Sequence, residues 1–398
     1  MPRREDFVLK DSPPEIIKAA NVDPQGRTYD VKYENKTGAV HIDDILLGTK
    51  LACIAITDDD EDTLANVGKL NPWHIEALTM ITGSKEEAHK SLTHILDKHF
   101  SLKVDKLINL SGWHGGHAID TQGYIAHNDD IIVVAFRCTT SAQDWITNFT
   151  ASSTPWELDV DLELGHSGWC SCLEGRFFSG NKKPRVHTGF YNNLLQTIPI
   201  LEVYVKPLLD PSQPPRKLYV VGHSLGAGMS SLATCYFLEN YQWKNLPHKL
   251  INISIGTPKS MKKDMAEKIE GELNELVPLG KVSMVRVVMN EDIVARVPPN
   301  YYHVGRLVFL TEDGHVLVNP KDPTVIEVND MKDLIMNRST GSKVSTIGNV
   351  NEKNKPDDGD GSLTKSQYDK KMEKIPQCIR EHCPDCYLKP LIRLYQER

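Results

Sequence analysis

Ser224 stands in Gly222-His223-Ser224-Leu225-Gly226, and a serine framed as Gly-x-Ser-x-Gly between a strand and a helix is set up as an exposed nucleophile. The turn must be sharp enough to strain the serine backbone, which leaves no room for side chains two residues away. A helix starting at Leu225 would add its dipole and its unpaired N–H groups beside the hydroxyl, where an oxyanion would form. Such a serine needs a base and a residue to orient that base, arranged in chain order as serine, acid and histidine. Downstream, Asn290-Glu291-Asp292-Ile293-Val294 offers two acids. Asp292 is the expected one and Glu291 its local competitor, since neighbours on an extended chain point opposite ways and only one can face the serine. The histidines after them are His303, His315 and His382. His303 lies close behind a Pro298-Pro299 pair, too near Asp292 to reach back easily, and His315 sits in a Glu312-Asp313-Gly314 turn. His382 remains, although a lone histidine is more often structural than catalytic and spacing leaves that alternative open.

The flanking elements must place these groups. Leu218-Tyr219-Val220-Val221 reads as a buried parallel strand, and residues 225–238, apolar on nearly every face, as a helix packed beneath a sheet. Residues 250–255 read as a second strand, 261–276 as a helix and 282–288 as a third strand ending at Asp292. Alternating strands and helices imply a parallel sheet, whose functional groups gather at the carboxyl ends of its strands. Further upstream, residues 1–75 read as an N-terminal extension of unknown role with strand-like runs at 40–47 and 51–56, ahead of a main domain over 76–398. Residues 73–100 have helical spacing. Residues 339–368, rich in Ser, Gly, Asn, Asp and Lys, read as a flexible loop ahead of the His382 segment. Closing a longer loop costs little more than closing a short one, so this loop does not disqualify His382.

Together the motifs resemble the class 3, fungal-type lipases of the α/β-hydrolase superfamily. Ile131 to Phe136 followed by Arg137-Cys138-Thr139-Thr140 is similar to that family's strand and Phe-Arg-Gly-Thr turn. Asp144-Trp145, Val186-His187-Thr188-Gly189-Phe190 and Ile255-Gly256-Thr257-Pro258 resemble further family elements, as do the elbow and the Asp292 segment. The resemblance implies an α/β-hydrolase with a mostly parallel central sheet flanked by helices and a lid-like insert over 150–185. It implies a late catalytic histidine, matching His382 ahead of Tyr387-Leu388, and an oxyanion hole from Thr139 and from Leu225 N–H. It also implies hydrolysis of carboxylic esters of lipids through an acyl-enzyme, at a lipid–water interface, with no cofactor and no metal. A phospholipase A1, galactolipase or feruloyl-type esterase would share every one of these residues, and an inactive lipase-like interaction protein is the alternative of another class. Cys138 departs from the family, which usually has glycine there. A Cβ at that position would forbid a positive φ or crowd the substrate, unless the cysteine is a small buried residue acting like alanine.

Composition narrows the remaining classes. The chain has 398 residues, 40% of them hydrophobic, and a net charge of −7, enough apolar material for one large α/β domain. No basic run suggests nucleic acid. The polar start lacks an apolar leader and no run approaches 18 apolar residues, which predicts a cytoplasmic protein without a transmembrane span, or a secreted one if the sequence is a mature form. Eight cysteines are read as reduced thiols. One pair alone, Cys383 and Cys386, has C-x-x-C spacing, too little for a zinc set, and the Asp357 to Gly361 stretch lacks the alternating ligands of a calcium loop.

Overall fold

The computed structural model describes residues 8–9, 40–57, 70–114, 117–138, 152–158, 183–312, 314, 316–318 and 377–396. Thr139, His315, residues 159–182 of the insert, the 339–368 stretch, the Asp357 to Gly361 stretch, Cys170 and Cys172 lie outside these residues. In chain order the strands are β1 (Val8–Leu9), β2 (Val40–His41), β3 (Lys103–His114), β4 (His117–His127), β5 (Ile131–Phe136), β6 (Ser153–Pro155), β7 (Arg185–His187), β8 (Lys217–His223), β9 (Lys249–Ile255), β10 (Val282–Met289), β11 (Arg306–Leu310) and β12 (Val316–Val318). The helices are α1 (Ile42–Ile54), α2 (Pro72–Thr82), α3 (Lys85–Ala88), α4 (Leu92–Phe100), α5 (Thr188–Tyr204), α6 (Leu225–Asn240), α7 (Lys263–Leu276), α8 (Gln377–Arg380) and α9 (Pro384–Gln396).

One sheet of eight strands runs β12-β11-β10-β9-β8-β5-β4-β3. Neighbours from β5 to β11 pair in parallel, and antiparallel pairing adds β4 and β3 on one side and β12 on the other. Alternation along the parallel strands divides the core. Val133, Ala135, Tyr219, Val221, Ile253 and Ile255 pack with α1, α2, α4 and α9 on one face, while Ile132, Val134, Leu218 and Val220 pack with α5, α6 and α7 on the other. This is the helix-flanked, mostly parallel arrangement of an α/β-hydrolase. The register aligns Phe136 with Gly222 and Gly222 with Ser254, so the residues just beyond β5, β8, β9 and β10 meet at one carboxyl edge.

Two local expectations are corrected. The runs at 40–47 and 51–56, read as strands, are mostly the single helix α1, nine of whose thirteen residues are buried. A helix buried on most sides has no polar face to reveal its period, so its β-branched residues mimic a strand. Gly48 lets it lie hard against the sheet, since a Cβ there would come within 2.5 Å of Ile253 Cγ1. Residues 40–57 thus share the core with the sheet. The helix expected over 73–100 is three helices. Gly83 ends the first in the left-handed conformation, at φ 87°. Ser84 and Ser91 start the next two by accepting the amides of Glu87 and His94, competition that favours caps over helix interiors.

Candidate active site

Three chain segments converge on the turn after β9. Ser224 caps α6 with φ 59° and ψ −126°, a conformation that costs a residue with a Cβ on the order of 1–3 kcal/mol and survives only when its surroundings impose it. They do impose it. The Ser224 amide donates to Ile255 O at 2.9 Å. A Cβ on Gly222 would lie 2.1 Å from Gly226 O, and one on Gly226 would lie 2.2 Å from Phe136 O. Leu225 is the first residue of α6, and the leading amides of a helix have no partner within it.

Asp292, fully buried at 0% exposure, follows β10. Its Oδ2 accepts His382 Nδ1–H at 2.8 Å and the Tyr387 hydroxyl, and its Oδ1 accepts the Val294 amide at 2.8 Å. Burial works to raise its pKa. The His382 charge and hydrogen bond, the Tyr387 hydroxyl and the Val294 amide outweigh burial and hold it below the usual carboxylate range. Tyr387 is itself pushed far up by burial and by the Asp292 carboxylate, so it stays a donor, and it accepts the Met289 amide at 3.1 Å. Glu291 does not take this place. Its amide donates to Glu381 Oε2 at 2.6 Å, and Glu381 Oε1 also accepts Asn290 Nδ2 at 2.9 Å, which fixes the acid-bearing turn to the segment carrying His382.

His382, at 3% exposure, sits between α8 and α9. With Nδ1–H committed to Asp292, its Nε2 is the basic nitrogen. The His223 ring stacks on it, centroids 4.7 Å apart, and His223 Nε2–H donates to His382 O at 2.8 Å. Burial, then the nearby His382, press the His223 pKa down to about 3, so His223 is a neutral wall. Ser224 Oγ and His382 Nε2 are both buried, and neither has a hydrogen-bond partner. The proton-transfer bond between them is therefore not formed in this geometry, as is common for catalytic hydrogen bonds before substrate tightens them. Gly256, at φ 54°, closes the group: a Cβ there would lie 2.8 Å from both Asp292 Oδ2 and His382 Nδ1.

Of the residues singled out from sequence, Ser224, Leu225, Asp292 and His382 lie in this cluster, while Thr139 is outside the described residues. His303 is apart, its Nε2–H donating to Ala295 O at 2.8 Å. Cys138 is buried and is not among the positive-φ residues, so the expected conflict between a Cβ and the backbone does not arise. The beginning of the lid-like insert is core: Trp156 packs with Tyr191, ring centroids 5.7 Å apart, and its Nε1–H donates to Glu239 Oε2 at 2.5 Å. Among the described residues no group of His, Cys, Asp and Glu is placed to hold a metal, and no helix is long and apolar enough to cross a membrane. Sequence reasoning missed the positioning parts played by His223, Gly256, Glu381 and Tyr387. His223 and Gly256 lay inside motifs already noted, whereas nothing in the sequence marked Glu381 as the anchor of the acid turn.

Residues 133–302 match the family described as Lipase (class 3). A curated relative, "Putative lipase LIH1" of Saccharomyces cerevisiae (strain ATCC 204508 / S288c), is 27% identical over 210 residues, which are 48% of this chain. The chain spans 58% of that relative's length. Solved structures with some likeness include a triacylglycerol lipase with a serine protease triad as its catalytic centre, 19% identical with a TM-score of 0.45, covering 71% of this chain and 85% of that one. Lipase II from Rhizopus niveus is 20% identical with a TM-score of 0.42, covering 68% and 82%. A Rhizomucor miehei lipase propeptide complex is 18% identical with a TM-score of 0.44, covering 80% and 87%. The segment similar to the class 3 lipase family contains the nucleophile elbow and the acid-bearing turn.

Proposed function

We propose that the protein is a serine hydrolase that cleaves carboxylic esters of lipids through an acyl-enzyme. The observation that carries this reading is the buried Asp292–His382 pair beside the strained elbow of Ser224. His382 Nε2 takes the Ser224 proton as Oγ attacks the ester carbonyl. Asp292 holds the tautomer and stabilises the imidazolium, which then protonates the departing alkoxide. Water repeats the attack on the acyl-enzyme with the same base. The tetrahedral oxyanion is assigned to the N–H of Leu225 and to Thr139. Lipid esters are the substrate class that the family and the yeast relative's name support, and an interface is where such substrates are met.

Labelling with a fluorophosphonate tests for an activated serine without choosing a substrate. The wild type should label and Ser224→Ala should not, with ester hydrolysis falling on the order of a thousandfold or more. A panel of long-chain acylglycerols, phospholipids, galactolipids and short soluble esters then reads the substrate class. An unlabelled, well-folded wild type would refute the enzyme reading.

A further inference from the structure

Another buried histidine stands behind the segment that leads into Thr139. His74, on α2, is 4% exposed, and none of the steps assigned to the triad uses it. Its Nε2 lies 3.9 Å from Cys138 Sγ, and Cys138 is the residue immediately before Thr139. The segment is braced from the other side as well. The carbonyls of Phe136 and Arg137 lie so close to Gly226 that a Cβ there would fall 2.2 and 2.8 Å from them. The Arg137 amide is tied to Gln122 O at 2.8 Å. Residues 136–138 are thus clamped between the first turn of α6, which begins at Leu225, and the imidazole of His74.

We infer that His74 is a positioning residue for the oxyanion hole, holding residues 136–138, which lead into Thr139 in sequence, through the Cys138 side chain. This inference rests on the serine-hydrolase reading above. It accounts for the departure from glycine at this position: a glycine gives a neighbouring helix nothing to hold, whereas a cysteine presents a polarisable sulfur that both donates and accepts weakly. Both partners are neutral. Burial pushes the Cys138 thiol up to about 11, and burial, Arg137 and His382 press His74 down to about 3. The contact is therefore between dipoles and adds no net charge beside the imidazolium of His382. α2 also packs against α9, so the helix that braces the segment is seated on the element following the base.

The test is a double-mutant cycle on the full chain, using His74→Phe to keep ring volume and Cys138→Ala to remove the sulfur. Fluorophosphonate labelling rate, kcat and KM on a soluble ester, and Tm are measured together. Because a misplacement near 1 Å costs about a hundredfold, each single change should lower kcat and the labelling rate by roughly 10- to 100-fold with KM nearly unchanged. The double variant should be no worse than either single variant, as expected for residues acting through one contact. Cys138→Ser, which keeps a donor, should restore kcat to within about threefold of wild type when His74 is present and not when it is Phe. Losses that multiply, losses confined to KM, or a His74→Phe enzyme with wild-type kcat would overturn the inference. Should His74→Phe not fold, Cys138→Ala against Cys138→Ser decides, and equal rates for those two would overturn it. A wild type that does not label removes the serine-hydrolase reading and this inference with it, whereas a labelled wild type with multiplying losses removes this inference alone.

Discussion

Gly256→Ala places one methyl group between the acid and the base. The new Cβ would lie 2.8 Å from Asp292 Oδ2, 2.8 Å from His382 Nδ1 and 2.9 Å from His382 Cε1, against at least 3.4 Å for an ordinary contact. Each partner must therefore retreat by roughly 0.6 Å, and a 2.8 Å hydrogen bond stretched by that much leaves the useful range. Neither has a free direction in which to go, because Asp292 is bonded to Tyr387 and Val294 and His382 is stacked on His223. The backbone adds its own cost, since φ at Gly256 is 54° and a Cβ in the left-handed region costs about 1–2 kcal/mol. A misplacement approaching 1 Å costs about a hundredfold in rate, and loss of the orienting acid about ten-thousandfold. The expected kcat is therefore between about 10² and 10⁴ below wild type, with Tm lower by several degrees and the protein still folded. Steady-state hydrolysis of a soluble ester and a thermal melt check this directly. A Gly256→Ala enzyme with kcat within about threefold of wild type and an unchanged Tm would show that the pair tolerates the methyl, and the geometric reasoning would be refuted.

The other expectations concern the same pair and its walls. His382→Ala should lose as much activity as Ser224→Ala, since members of a triad act as a unit, whereas His303→Ala should alter Tm and leave kcat near wild type; the reverse pattern would displace His382 as the base. Tyr387→Phe removes a donor to the Asp292 carboxylate and strands the Met289 amide. It should cost roughly 2–4 kcal/mol of stability and lower kcat, as read by urea unfolding and by kinetics, and an unchanged midpoint would contradict the assigned hydrogen bonds. Stability should fall on acidification. His74 and His223 are neutral in the fold with pKa values near 3, but protonate near 6.5 once unfolded, so the unfolded chain binds protons first. Their contribution is complete above about pH 6.5 and is lost as pH falls towards 3. Asp292, depressed below 3.8, contributes above that value and adds its own loss only in stronger acid. A Tm that stays flat from pH 7 to 5 would contradict this sign.

The chemistry was more legible than the scaffold that aims it. Gly222-His223-Ser224-Leu225-Gly226 and the strand–helix–strand run behind it announce a parallel sheet and its elbow, because turn strain and buried-strand composition are local properties. α1 was misread because a helix buried on most of its surface loses the polar stripe that reports a 3.6-residue period. Asp292 and His382 are 90 residues apart, and whether such residues meet depends on how α9 docks, which no spacing encodes. Glu381 and Tyr387 flank the base in sequence, yet their work is done across that docked interface on Asn290, Glu291 and Asp292. Cys138 was legible as an anomaly, but the side chain it meets is His74 on α2, which no motif marked.

The bond from His223 to the C-terminal segment goes to the main-chain carbonyl of residue 382 and not to its ring. Removing the imidazole therefore leaves that segment fastened, with Tyr387 still on Asp292. The gap left by His382→Ala is shaped like the missing heterocycle. One wall is the flat face of His223, Gly256 supplies a floor without a side chain, and a carboxylate waits for an N–H at the far end. Dissolved imidazole has the right outline and the right donor to lodge there, stacked as the native ring is stacked. In such a protein the base becomes a detachable reagent, and turnover can be switched on and off by dialysis.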